Sequence, residues 1–266
     1  VLFHGNALIT MVRDAVVPII VGAWVGLAGV GFVNWATALA FLPLQIISIA
    51  GRVLFPALAR LQDDPAGFAR ATERALNRIA LVVYPLALLL MAAAVPVVRF
   101  VYGEAWMPAV TAVRILCVTT LVGGTSNLLV HALYALGRAD TVLRLNLAWT
   151  ALLWVLTPLL VPWLGVAGFA LSSAAVALTM GATAVALRRL APVNVLRPVA
   201  APLAAAAVAA LGLAGLERVW IHDLASLVVA AAAAGALYAA LIVAGSGAAW
   251  RLELLADWRT VWQGRA

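Results

Sequence analysis

Apolar runs long enough to cross hydrocarbon recur along the whole chain. They lie at 7–28, 31–55, 79–98, 109–135, 142–162, 165–187, 198–216 and 224–245, and a spanning helix needs about 20 such residues. Between them stand turn and charge signals: "RLQDDPAGFAR", "RFVYGEAW", "LGRAD", "PWLG", "RRLAPVNVLRP" and "LERVWIHD". The pattern predicts an all-α polytopic membrane bundle of about eight transmembrane helices. The last stretch, "AWRLELLADWRTVWQGRA", is polar enough to leave the bilayer as an interfacial helix anchored by Trp.

The polar positions inside these runs are not scattered. At about 100° per residue, Asn34, Gln45, Ser48 and Arg52 fall within about 40° of one line along a helix, with Phe41 among them. Leu39, Ile46, Ile47 and Leu54 occupy the opposite half. Hydrocarbon offers such a row no hydrogen-bond partner, so it is expected to face a water-filled cavity or other helices. In the first run Asn6, Thr10 and Arg13 share a face, with Asp14 beside them. Intramembrane charges cost about 2.5–3.5 kcal/mol each on insertion scales and persist where they pair or face a cavity. The other reading starts the span near residue 14, which leaves Arg13 at the surface.

Weaker faces follow: Thr120, Gly124, Asn127, His131 and Tyr134 in the fourth run, and Asn146, Thr150 and Thr157 in the fifth. Ser and Thr commonly bond back to their own helix, so these faces are expected to pack helices and not to line a path. His131 is expected at a helix interface and Arg114 is expected to snorkel to the nearer surface. Gly22 and Gly26 form one GxxxG pair that permits close helix approach. Pro18, Pro43, Pro85, Pro96 and Pro158 fall in or near spans, where each removes a donor and bends its helix.

Composition agrees with the pattern. The 266 residues are 66% hydrophobic and 10% charged, against about 25% charged in a soluble domain. All 17 basic residues are Arg. Without Lys there is no Walker A motif, Schiff-base lysine or lysine general base. No HExxH and no paired Cys/His spacing for zinc is present, so no cofactor or metal is expected. The lone Cys117 forms no intramolecular disulfide.

The net charge of +7 is spread as a topology signal. If connections alternate sides, Arg60, Arg70, Arg74, Arg78, Arg138, Arg144, Arg188, Arg189, Arg197, Arg251, Arg259 and Arg265 share one side. Arg99 and Arg218 share the other. The arginine-rich side is expected to be cytoplasmic, with the C-terminus inside. A nucleic-acid groove would cluster basic residues on a soluble face, and none exists to carry one. In the 60–78 segment Asp64–Pro65 reads as a helix cap and first position. Arg70, Arg74 and Arg78 then form one stripe, read either as a solvated face near anionic lipid or as a site for a phosphorylated head group. Val1 leads straight into an apolar run with neither the basic start nor the cleavage pattern of a signal peptide, so the sequence reads as beginning midway in a longer protein.

The stretch "LAGVGFVNWATALAFLPLQIISIAGRVLFPALARLQDDPAGFARATERAL" resembles the polysaccharide (O-antigen and exopolysaccharide) flippases of the multidrug/oligosaccharidyl-lipid/polysaccharide exporter superfamily. Members commonly read Gly-x-Tyr-x-x-Ala, then Leu-Pro, then Phe-Pro-Ala-Leu-Ser-Arg-Leu-Gln-Asp-Asp. Here these are Gly31-Phe32-Val33-Asn34-Trp35-Ala36, Leu42-Pro43 and Phe55-Pro56-Ala57-Leu58-Ala59-Arg60-Leu61-Gln62-Asp63-Asp64, without the tyrosine near position 33. "VVRFVYGEAWMPAVTAVRILCV" resembles a later family stretch through Tyr102-Gly103, Trp106 and Arg114-Ile115-Leu116. The likeness covers residues 12–118 and is only hydropathic beyond.

The resemblance implies the seventh to fourteenth helices of a 14-helix transporter fold. It divides the chain into a lobe of six helices at 1–190, two further helices at 191–246 and a tail at 247–266. It implies a flippase that moves a lipid-linked oligosaccharide across the bacterial cytoplasmic (inner) membrane by alternating access, among membrane lipids and polysaccharide assembly proteins. Arg13 and Arg52 would meet the substrate diphosphate, Asn34 and Gln45 the sugar hydroxyls, with Asp14 and Ser48 in the same cavity. A cation-coupled drug exporter of the same superfamily is the alternative and needs cavity carboxylates, of which Asp14 is one. A glycan polymerase or ligase would need a large outer loop with clustered acidic, His or Arg residues, and the loops are short.

Overall fold

The computed structural model describes residues 2–245, without the side chains of residues 2–4, 6 and 46–53. Among the described residues there are helices and no strands: α1 (Leu2–Asp14), α2 (Gly22–Phe41), α3 (Leu44–Ala59), α4 (Pro65–Ala92), the short α5 (Ala94–Val97), α6 (Val110–Ala135), α7 (Ala139–Leu164), α8 (Val166–Thr179), α9 (Gly181–Arg188), α10 (Leu196–Val219) and α11 (Leu224–Gly245). The all-α membrane bundle is therefore what the chain forms. Seven segments among the described residues are long and apolar enough to cross a membrane.

The first of these, Ala7–Phe41, has 35 residues and would measure about 52 Å if straight, far beyond a core of about 30 Å. Gly26 resolves the mismatch. Its φ of 81° and ψ of −176° lie outside the helical region, in a conformation closed to residues with a Cβ. The chain folds back there. A Cβ on Gly29 would stand 2.5 Å from the Val25 Cβ and 3.5 Å from Val21 Cγ1, and one on Gly22 would stand 3.5 Å from Val30 Cγ2. Residues eight apart on a straight helix are separated by about 12 Å. Gly22 and Gly26 are thus not a paired contact face: Gly26 makes the turn, and Gly22 and Gly29 line the crossing of its two arms.

The second arm continues through a turn at Leu42–Pro43 into α3. The crossing expected at 31–55 is therefore divided into two helical pieces at Leu42–Pro43. Pro43 is the cause: it has no N–H for the Leu39 carbonyl, which instead accepts from Leu42 N–H at 3.4 Å. Pro18 acts likewise at the end of α1. A π-helical turn, Val17–Val21, follows, and Gly22 N–H reaches back to Val17 O. A second tight reversal joins α7 to α8 at Gly165, φ 55°. A Cβ on Gly168 would meet Leu160 O at 2.5 Å, so the two helices pack with no room for a side chain there.

α4 begins as the sequence leads one to expect, with Pro65 in its first turn and the Asp64 carboxylate accepting from Gly67 N–H at 2.9 Å. It shares one large core with α6, α10 and α11, including Leu76, Val83, Leu129, Leu133, Ala206 and Leu213. Prolines supply part of the adhesion. Pro85 cannot donate to Leu81 O, and Tyr238 Oη of α11 donates to that carbonyl at 2.8 Å. Pro202 cannot donate to Pro198 O, and Asn77 Nδ2 of α4 donates to it at 2.6 Å. Each vacated acceptor is filled from a neighbouring helix.

The 189–195 connection is held the same way: Glu73 accepts from Asn194 N–H at 2.6 Å, and Asn194 Oδ1 accepts from the N–H groups of Leu196 and Arg197, both at 3.2 Å. At the opposite end Arg114, whose side chain is 43% exposed, pairs with Glu217 near the end of α10 at 3.8 Å. Trp35 packs on Tyr102 and Trp106 with centroids 4.8 and 4.7 Å apart. The stretches around Gly31 and Gly103, distant in sequence, are therefore in contact.

Removing either proline-directed bond should loosen the bundle. Tyr238→Phe and Asn77→Leu are each expected to lower the unfolding free energy of the intact protein by about 1 kcal/mol, in the range measured for hydrogen bonds between membrane helices. Combining Pro85→Ala with Tyr238→Phe should recover part of the loss, because the restored N–H at position 85 rebonds Leu81 O. Equilibrium unfolding of the four variants in one double-mutant cycle checks this.

Candidate functional site

Both arms of the Gly26 hairpin, with α6, α7 and α8, surround a cavity of about 480 Å³, within the range of small-molecule sites. Its depth follows from helix rise. Asn34 lies eight residues from the Gly26 turn and Ser173 eight from the Gly165 turn, each about 12 Å along its helix. Arg13 is about 20 Å from the Gly26 turn by the same arithmetic. Hydrophobic walls come from Val16, Val17, Leu153, Phe169 and Val176; the polar lining is Arg13, Asp14, Asn34, Thr37, Thr119 and Ser173.

Arg13 and Asp14 form the charged corner, with Arg13 Nε donating to Asp14 Oδ1 at 3.1 Å. Neighbours in a helix do not normally face each other, but Asp14 is the last residue of α1 and both side chains leave from a helix end. Their exposures of 47% and 66% show that neither is sunk into packing. A guanidinium at a helix C-terminus also meets the negative end of the helix dipole. It carries five donors, and the carboxylate meets it through Nε. Trp154 Nε1 donates to Val12 O at 2.9 Å and ties this helix end to α7.

The hydroxyl doublets divide their work. Thr120 Oγ1, buried, donates to Ala40 O at 2.8 Å and holds the end of α2 against α6. Thr119, its neighbour, turns into the cavity, and its Oγ1 has no protein partner although the residue is only 8% exposed. Ser172 bonds back to Gly168 O at 2.9 Å, while Ser173 lines the cavity. The Thr37 Oγ1 is also buried without a partner. The exposed Asn34 and the part-buried Ser173 thus border one space, beside two buried hydroxyls.

The residues expected from sequence separate here. Arg13, Asp14 and Asn34 are brought together on one cavity, with Phe41 at its edge. Gln45 is exposed on α3, past the turn at Leu42–Pro43, and is not among the lining residues. The side chains of Ser48, Arg52 and Asn6 lie outside the described residues. Thr37, Thr119 and Ser173 were not singled out in the sequence; a doublet of adjacent hydroxyl residues is the signal that marks the last two. The packing role expected for the α6 face holds for Thr120, and His131 Nδ1 donates to Asn127 O of its own helix at 2.8 Å. Thr157 departs from the expected back-bonding: its Oγ1 is buried without a partner. No group of three or more His, Cys, Asp or Glu able to hold a metal occurs among the described residues.

The hairpin that carries this cavity, α3 and α4 lie within residues 2–111, the region matched by the family model described as polysaccharide biosynthesis protein. That match takes in about two fifths of the chain. Curated proteins similar to this chain include the lipopolysaccharide biosynthesis protein WzxC of Escherichia coli (strain K12), 32% identical over 142 residues, which are 53% of this chain and 28% of the relative. Teichuronic acid biosynthesis protein TuaB of Bacillus subtilis (strain 168) is 28% identical over 123 residues, 46% of this chain and 26% of the relative. An uncharacterized membrane protein in the cps region of Klebsiella pneumoniae is 28% identical over 142 residues, 53% of this chain and 29% of the relative. The matches thus span little more than a quarter of the length of these relatives. Among solved structures, lipid II flippase MurJ in an inward closed conformation superposes with a TM-score of 0.72 at 12% identity, covering 87% of this chain and 51% of that one. That likeness shows a shared fold.

If water fills this cavity, cysteines placed in its lining will be labelled. Asn34→Cys and Ser173→Cys in the intact protein should react with a water-soluble thiol reagent. Val113→Cys, at a fully buried position, and the native buried Cys117 should not. Mass spectrometry of labelled membranes reads the difference.

Proposed function

We propose that this chain forms one wall of a flippase pathway that carries a lipid-linked oligosaccharide across the bacterial cytoplasmic membrane. The observation that carries the reading is the charged, hydroxyl-lined cavity at mid-depth in an otherwise apolar bundle. Intramembrane charge is costly and marks substrate or ion paths. The names of the polysaccharide and teichuronic acid biosynthesis relatives and the flippase fold support the same class. The work is transport: the substrate moves and no bond is made or broken.

In this mechanism the Nη edge of Arg13 meets the diphosphate, because a planar guanidinium matches phosphate oxygens two at a time. Asp14 holds Arg13 through Nε and competes with the phosphate, so substrate is bound but released. Asn34 and Ser173 offer amide and hydroxyl partners to sugar rings. Arg52, Ser48 and Gln45, on α3, are assigned to the same path nearer its arginine-rich end. That end faces the cytoplasm, by the rule that basic loops stay inside, and the C-terminus lies there too. The bends at Pro18 and Pro43 let the hairpin rock between inward-open and outward-open forms. Membrane lipids surround the bundle, and polysaccharide assembly proteins take the product.

Asp14 favours a second reading, a cation-coupled exporter of small molecules, because it places a carboxylate in the cavity lining, the one such group among the described residues there. One pair of variants separates the two. In a strain whose surface polysaccharide depends on the intact protein, Arg13→Ala should cut export about 10- to 100-fold, the worth of one or two charge-assisted hydrogen bonds. Arg13→Lys should retain part of it, and Asp14→Asn should leave at least half. Loss of function in Asp14→Asn with full function in Arg13→Ala would replace the flippase assignment with the cation-coupled one.

A further inference from the structure

Away from the central cavity, α3 and the first turns of α4 enclose a second hollow of about 440 Å³. It shares no lining residue with the first. Its walls are apolar, with Leu54 and Ala57 from α3 and Ala75 and Ile79 from α4, and its two charged residues are Arg74 and Arg78. The shape follows from sequence. Alanine at 57 and 75 leaves width between the helices that larger side chains would fill. The arginines recur at a spacing of four, which puts them on one face of α4. Arg74 Nε is turned along the helix toward Arg70 O, at 3.4 Å.

Depth identifies the occupant. The apolar run of α4 begins at Ile79, so Arg74 and Arg78 stand at its polar end, level with lipid head groups. A narrow apolar slot capped by two guanidinium groups at that level complements an acyl chain ending in a phosphodiester. We infer that the groove between α3 and α4 binds an anionic diacyl phospholipid of the bilayer, with its phosphate on Arg74 and Arg78 and one chain against Leu54 and Ile79. This holds whatever crosses the central cavity, since no residue is shared. A bound lipid there would brace α3 against α4, two helices joined by the short 60–64 connection.

Native mass spectrometry of the intact protein, titrated with phosphatidylglycerol and with phosphatidylcholine, tests the inference. Phosphatidylglycerol should bind the wild type more tightly than phosphatidylcholine. Arg74→Gln with Arg78→Gln should weaken phosphatidylglycerol about 25-fold, about five-fold for each basic residue near the surface, and leave phosphatidylcholine unchanged. Ala75→Leu, which fills the slot and keeps both charges, should weaken both lipids. Three outcomes would each overturn the assignment. One is equal binding of the two lipids by the wild type, which needs no variant to fold. Another is full competition by glycerol phosphate, which would mean that no chain is held. The third is displacement of phosphatidylglycerol by a polyprenyl diphosphate at equal concentration, which would assign the groove to the transported lipid.

Discussion

A lipid-embedded chain has no water to satisfy the hydrogen-bonding groups it leaves open, and this constraint organises the whole bundle. Every backbone carbonyl left open by a helix break must be filled by another protein group or must face a hydrated space. The bundle does both. Around α4, where packing is dense, the acceptors vacated by Pro85 and Pro202 are filled by Tyr238 and Asn77. The proline that weakens a helix locally therefore creates the acceptor that binds the next helix. Thr120 does the same for the end of α2 through Ala40 O. Near Pro18 and Pro43 the chain instead borders a cavity. One residue type thus serves adhesion in one half and opening in the other, according to whether a donor stands opposite.

Much of this was legible because the hydrophobic effect writes long, regular signals. A run of 20 apolar residues has one inexpensive fate in a cell, so the spans and their order could be read from pattern alone. The Asp64–Pro65 helix start was equally local: a carboxylate and a residue without N–H suit the first turn whatever packs around it. The grouping of Arg13, Asp14 and Asn34 was legible for a different reason. Charges and amides inside hydrocarbon leave few arrangements open, and convergence on one space is the least costly.

What sequence could not supply were features that depend on partners. The straight face drawn from Asn34 to Arg52 assumed a continuous helix, and Pro43 divides it between α2 and α3. Gly26 reads as one more small residue in a Gly- and Ala-rich stretch; only its positive φ shows that it reverses the chain. That Arg114 meets Glu217 at the surface could not be read, because the two are about a hundred positions apart. Thr119 and Thr120 are chemically the same, and adjacent positions on a helix differ by about 100°. Which of them bonds α2 and which faces the cavity is decided by where α2 lies.

The two breaks also bear on whether the central space is wet. Irregular backbone at membrane depth survives only when buried in protein or lining a watery cavity. The break after Asp14 contributes Arg13, Asp14, Val16 and Val17 to the lining, and the break at Leu42–Pro43 is adjoined by Phe41 at the same space. The hairpin folds so that both irregular stretches meet one cavity, although they lie more than twenty residues apart in sequence. Dry packing would leave the Arg13–Asp14 pair, now 47% and 66% exposed, in low dielectric, at a cost of several kcal/mol. Nothing in the apolar walls offsets that sum. Water, or a polar ligand that replaces it, does, and the hydration that relieves the broken helices also leaves space for a hydroxyl-rich solute.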